Sequence, residues 1–287
     1  MLTTLVALAA AQVGPALPGD PNAVPIMPPQ PVRTAASQPT ADAPALSSRL
    51  ERCLSVIGSN PDEALKAADK WLAEVSGAAK AEAGHCLGLA LVQLGRFAAA
   101  QAAFTSAQAE AAGEEPAYAA RLGGLAGNAA LLGGDAAGAV PLLDAARAQA
   151  LKAGEQELAL GLQLDAAAAK AQAGQVAAAL ASMAAARDTW PSDAEVWRLS
   201  AMLSRGAGDL VAAQAQIERA ADLAPRSPQV ALEAGIIAAL SGRTEAARQS
   251  WQSVLTVAPD LPAAQAARSY LAQLGESASP IEEPDSR

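Results

Sequence analysis

A single histidine, His85, and two cysteines, Cys53 and Cys86, are the side chains best suited to nucleophilic or metal chemistry in this chain of 287 residues. Catalysis needs reactive groups that converge, and one histidine with two cysteines does not assemble a triad. A metal site on the same three residues fails on geometry. Adjacent residues on a helix point about 100° apart, so His85 and Cys86 diverge, and no fourth ligand for a zinc ion stands nearby. Carboxylates such as Glu114, Glu115 and Asp165 could pair for acid–base work, but scattered acids on polar helix faces are ordinarily solvated. The chain has no glycine-rich phosphate cradle, no zinc-hydrolase helix and no nucleophile elbow. These residues predict a protein that is not an enzyme and that uses no cofactor and no metal.

The elements that carry them are read from composition first. Only 3% of the residues are aromatic, so few large anchors exist for a single globular core. Alanine dominates and β-branched residues are thinly spread, which predicts close-packed helices. The net charge of -9 and pI near 4.7 give an acidic surface that repels nucleic-acid phosphates. Residues 1–13 are mostly apolar and include the small-residue run Ala9-Ala10-Ala11, the pattern of a cleavable signal peptide. That run is too short to span a bilayer comfortably, which takes about 20 apolar residues; left uncleaved, it would be an N-terminal anchor. Residues 14–44 hold nine prolines and no hydrophobic period, and are expected to be a disordered linker. Residues 276–287 are polar, acidic and interrupted twice by proline, and are expected to be a disordered tail.

Between them, residues 45–275 repeat. Gly95, Gly134, Gly174, Gly208 and Gly242 are spaced 39, 40, 34 and 34 apart. Seven residues before each stands Gly88, Gly127, Ala167, Ala201 or Gly235, small enough for two helices to touch. Nine residues after each stands Phe104, Leu143, Met183, Ile217 or Trp251, on one helical face with the alanines five after. Pro191, Pro225 and Pro259 follow in the last three units, where they would stop the second helix. The pattern resembles the tetratricopeptide repeat, a 34-residue unit of two antiparallel helices with a glycine at the turn. The resemblance implies an all-α, right-handed superhelical solenoid of five to six repeats. Spacings of 39 and 40 depart from the family's period and predict longer connections near Gly113–Pro116 and Gly154–Glu157. A degenerate first unit is expected from Leu50, Leu54, Ile57, Ala64, Ala68 and Trp71, with Asn60, Pro61 and Glu63 marking its turn as a capping box. Ala267, Tyr270, Leu271 and Leu274 predict a final helix that covers the open end of the array.

The repeat also places the reactive residues. Cys53 and Cys86 lie 33 apart, on the first helices of neighbouring units. In an oxidising compartment they could bridge; in a reducing one they would be two small buried apolar residues. Trp251, Phe104 and Phe97 fall where helices pack and are expected in the core. In this family the first helices line a groove that receives peptides or partner helices. Projected onto this chain, the groove holds His85, Leu89, Val92, Arg121, Asn128, Leu131, Arg198, Met202, Arg205, Leu232 and Ile236. It also includes Leu164 and Ala168. One subfamily grips acidic tails through basic and amide side chains. Asn128 matches one such position, but Gly124 and Asp165 replace the Lys and Asn expected beside it, so that clamp is not predicted. The expected function is a non-catalytic adaptor, exported to the periplasm, that binds a protein or peptide in the cell envelope and does not bind nucleic acid. The alternative is a binder of glycan or peptidoglycan fragments, which the lack of groove-facing aromatics disfavours.

Overall fold

The computed structural model describes residues 48–277. The expected signal peptide, the proline-rich linker and all of the tail beyond residue 277 lie outside the described residues. Thirteen α-helices and no strand occur among the described residues, and the chain divides into two compact units.

The N-terminal unit holds α1 (Ser48–Ile57), α2 (Pro61–Glu74), α3 (Ala78–Gln93), α4 (Phe97–Ala111), α5 (Pro116–Leu132), α6 (Ala136–Lys152), α7 (Gln156–Gln172) and α8 (Val176–Thr189). The C-terminal unit holds α9 (Ala194–Gly206), α10 (Leu210–Leu223), α11 (Pro228–Leu240), α12 (Thr244–Val257) and α13 (Pro262–Ser277). Within each unit every helix packs on its sequence neighbour, save that α8 and α9 end and begin the two units. First helices also meet across a pair, α1 with α3, α5 with α7, and α9 with α11. The tight turns inside each pair reverse the chain, so the pairs are antiparallel.

The five aligning glycines occupy these turns. Gly208 has φ 83°, a left-handed conformation that costs a residue with a Cβ. Its amide donates to the Arg205 carbonyl and that of Asp209 to Ser204, which closes the helix end. The small residue seven before each turn meets the bulky residue nine after it. A Cβ added at Gly88 would overlap the Phe104 ring, one at Gly127 would stand 2.5 Å from Leu143, and one at Gly235 would overlap Trp251. Phe104, Leu143, Met183, Ile217 and Trp251 are all essentially inaccessible. Glycine therefore pairs with the aromatic rings, and alanine suffices beside Met183 and Ile217.

Three expectations are corrected in detail. The extra residues of the 39 and 40 spacings lengthen helices, not connections: α5, α6 and α7 each have 17 residues, against 13 in α9 and α11 and 14 in α10 and α12. Where Pro191, Pro225 and Pro259 stand, the second helix stops two residues earlier, because a residue before proline is pushed out of the helical region. Units without that proline run on. At Asn60 the side chain accepts from the Glu63 amide at 3.3 Å, but the Glu63 carboxylate takes the Asn60 side-chain amide at 2.8 Å instead of the backbone N–H a capping box would use. Phe97 is only half-buried; it lines a cleft of about 560 Å³ on the turn side with Arg96, Gln101, Ala130 and Asp135.

Candidate protein-binding face

The residues projected onto a groove all lie on first helices, at matching distances from the turn glycines. Their environments differ. His85, Leu89 and Val92 on α3 are half-buried, and so are Met202, Arg205, Leu232 and Ile236 on α9 and α11. Arg121 on α5 is exposed, with its guanidinium 3.9 Å from the Glu155 carboxylate. Asn128, Leu131, Leu164, Ala168 and Arg198 are buried. Packing between neighbouring first helices, and not solvent, takes this buried group.

Polar members of the set are engaged laterally. Asn128 donates its side-chain amide to Asp165 on α7 at 3.0 Å, with both residues buried. The one residue that matches the acidic-tail clamp is therefore already committed within the chain. Arg205 pairs with Glu233 on α11 at 2.6 Å, with the two side chains only 10% and 5% exposed. Asp165 and Glu233 both stand nine residues before a turn glycine, Gly174 and Gly242. Each reaches back to the preceding first helix, so an acid at this position marks a lateral bond between repeats. Arg198 pairs with Glu195 on its own helix and rests its other nitrogen 2.8 Å from the Met202 sulfur. Burial works against the Arg198 charge, but the Glu195 hydrogen bond and the Glu195 and Glu233 carboxylates outweigh it and raise its pKa.

His85 shares a 2.9 Å hydrogen bond through Nδ1 with the Tyr118 hydroxyl of α5. Burial lowers the imidazole from 6.5 to about 4. Burial also raises the Tyr118 phenol, with Glu82 and Glu115 adding to the effect. At neutral pH the pair is uncharged, which suits a tie between helices and not a general base poised for proton transfer. No group of three or more metal-ligating side chains is gathered among the described residues. Sequence reasoning missed Tyr118 and Glu233. The acid at a fixed distance before the turn was a usable signal for Glu233; Tyr118 had none, because its partner lies 33 residues away on a helix of different length.

Cys53 on α1 and Cys86 on α3 face each other at bonding separation, with Cα atoms 6.0 Å apart. That is within the range a disulfide requires.

No protein-family model and no curated protein matches the sequence. Solved structures do match. The chain is similar to PilW, a widely conserved type IV pilus biogenesis factor, at 16% identity and TM-score 0.57, over 76% of this chain and 95% of PilW. It is also similar to BtubC (BKLC) from P. vanneervenii at 16% identity and TM-score 0.55, over 83% of this chain and 96% of that one. The fold is that of the tetratricopeptide repeat. A looser likeness, with TM-score 0.42 and 18% identity over 77% of this chain and 99% of the other, is to YrrB, a TPR protein with an unusual peptide-binding site. In the tetratricopeptide-repeat frame α1–α12 are six helix pairs, and α13 follows them with Ala264 and Ala267 packed against Trp251. No described helix is long and apolar enough to cross a membrane.

Proposed function

We propose that this chain is a non-catalytic scaffold, exported to the cell envelope, that holds a protein or peptide partner on its first-helix face. One observation carries the reading. Leu89, Val92, Met202, Leu232 and Ile236 recur in register on first helices and stay half-exposed, while the buried polar groups beside them are already paired. A face of partly exposed apolar side chains with neutralised charges suits a helix or extended segment with apolar anchors. It gives an anionic tail little to hold, because Asn128, Arg198 and Arg205 are engaged. Export is supported by the apolar residues 1–13 and by the Cys53–Cys86 geometry, since disulfides persist in oxidising compartments.

Cross-linking in the native cell followed by mass spectrometry tests the scaffold reading. Wild-type protein should recover a defined partner above background, and Ile236→Glu, which places a charge on the face without disturbing a fully buried site, should lose it. Equal recovery by both proteins, or no partner together with sugar binding by the purified chain, would overturn it. Export is checked by fractionation and by the mass of the mature N-terminus; an unprocessed chain confined to the cytosol would contradict it.

A further inference from the structure

The first helix of the N-terminal unit is its least secured element. α1 has ten residues, fewer than the roughly 12–15 at which an isolated helix becomes even marginally stable. Among the described residues it packs on α2 and α3 alone. It fully buries only Leu50 and Ile57, and Leu54 on its other side is exposed. Its link to α2 beyond these apolar contacts is the pair Arg49–Glu74, with both side chains about two-fifths exposed, and such pairs hold little.

Cys53 stands between Leu50 and Ile57 on the same stripe of α1. On one side of it lie Leu50, Ala68, Trp71 and Ala83; on the other lie Ile57, Ala64 and Ala90. The bridge to Cys86 therefore sits in the middle of the seam that seats α1. This seam also borders the candidate face, because Leu89 packs against the Ile57 cluster. Cys86 is 1% exposed, whereas Cys53 is half-buried, so a reductant reaches the bridge at Cys53.

We propose that Cys53–Cys86 is a redox clasp: bonded, it seats α1 against α3 and completes the edge of the first-helix face beside Leu89, and reduced, it releases α1. The clasp stands on its own geometry; only the statement that it borders a binding face rests on the function proposed above. Reduction by a dithiol balances simply. One reductant thiolate attacks the Cys53 sulfur and displaces the Cys86 thiolate, and the second then closes a cyclic disulfide and frees Cys53. The reductant loses two electrons and two protons, and the two cysteines end as thiols. Once the covalent tie across 33 residues is gone, the open chain regains the conformational freedom that the closed loop denied it. A short terminal helix is the part that freedom would detach first.

Hydrogen exchange with mass-spectrometric readout on the full chain, unreduced and after dithiothreitol, tests the clasp. Reduction should speed amide exchange in residues 48–57 by about an order of magnitude or more, while α5–α13 keep their protection. Unchanged exchange in α1, or an equal rise in every helix, would overturn the proposal. So would two titratable thiols in the unreduced, unfolded chain. A Cys53→Ser, Cys86→Ala double variant should reproduce the reduced pattern; should it fail to fold, the reduction of the native chain still decides. None of these readouts involves the partner, so a failed clasp and a failed binding reading are distinguishable.

Discussion

At the scale of single residues, the contact between Gly235 and Trp251 is the most constrained in the C-terminal unit. The indole is inaccessible, donates to the Leu232 carbonyl at 3.2 Å and stacks on Tyr270 at 4.9 Å between ring centres. Trp251→Ala is expected to cost about 3–5 kcal/mol through lost burial and the cavity left behind. Gly235→Ala is expected to cost about 1–3 kcal/mol by overpacking, because the new methyl would enter the ring. Denaturant unfolding of both variants measures this, and unchanged midpoints would remove Trp251 from the core. The Arg205–Glu233 pair makes a different prediction. Glu233→Ala should destabilise by roughly 3–5 kcal/mol because it strands a buried guanidinium, whereas replacing both residues by Met and Leu should be near neutral. A double-mutant cycle separates the two outcomes.

His85 gives a pH dependence whose sign is fixed. Its folded pKa of about 4 lies below its ordinary 6.5, so between those values the unfolded chain binds more protons than the folded one. Stability should therefore fall as pH drops from about 6.5 towards 4, with the His85 contribution fully present above that window. His85→Gln should flatten that part of the profile in unfolding experiments run across the range. An identical pH slope in wild type and variant would show that the imidazole is not held neutral against Tyr118.

At the scale of elements, helix length is set by what ends each helix. Proline two residues past the end stops α8, α10 and α12, and the units that lack it extend by about a turn. The extended helices α5, α6 and α7 are neighbours, so the extra turns pack on one another; Ala150 and Ala159, near the connection of α6 and α7, are inaccessible. Turn glycines are equally decisive. Gly208→Ala, at φ 83° with open space around it, should cost about 1 kcal/mol through backbone strain alone. Calorimetry should register it as a drop of a few degrees in Tm. Because no atom lies near enough for a clash, any larger loss would mean that the turn does more than reverse the chain.

At the scale of the whole molecule, the cores are a series of local clusters, each built from two or three consecutive helices. In a repeat array, stability is a sum of unit and nearest-neighbour terms. A lesion should therefore loosen its own surroundings first. Gly235→Ala is expected to raise amide exchange across α11, α12 and α13 while α3–α6 keep wild-type protection, as read by hydrogen exchange. A uniform rise through both units would instead require a single cooperative transition.

The sequence by itself determined the helix pairs, their turns and their core contacts. Those depend on neighbours within one repeat, where spacing on a helix dictates which side chains share a face. Gly88 with Phe104 and Gly235 with Trp251 were legible for that reason. The bond of His85 to Tyr118, the Asn128–Asp165 and Arg205–Glu233 ties, and the added length of α5–α7 were decided by tertiary structure. Such bonds join residues 28 to 37 positions apart on different helices. Their formation depends on how far each first helix slides and turns against the next, and no single-helix pattern encodes that. The same dependence explains the candidate face. Periodicity named the side chains that point towards it, but only packing separated Leu89, Met202 and Ile236, left half-open, from Asn128, Leu131 and Arg198, which the neighbouring helices enclose.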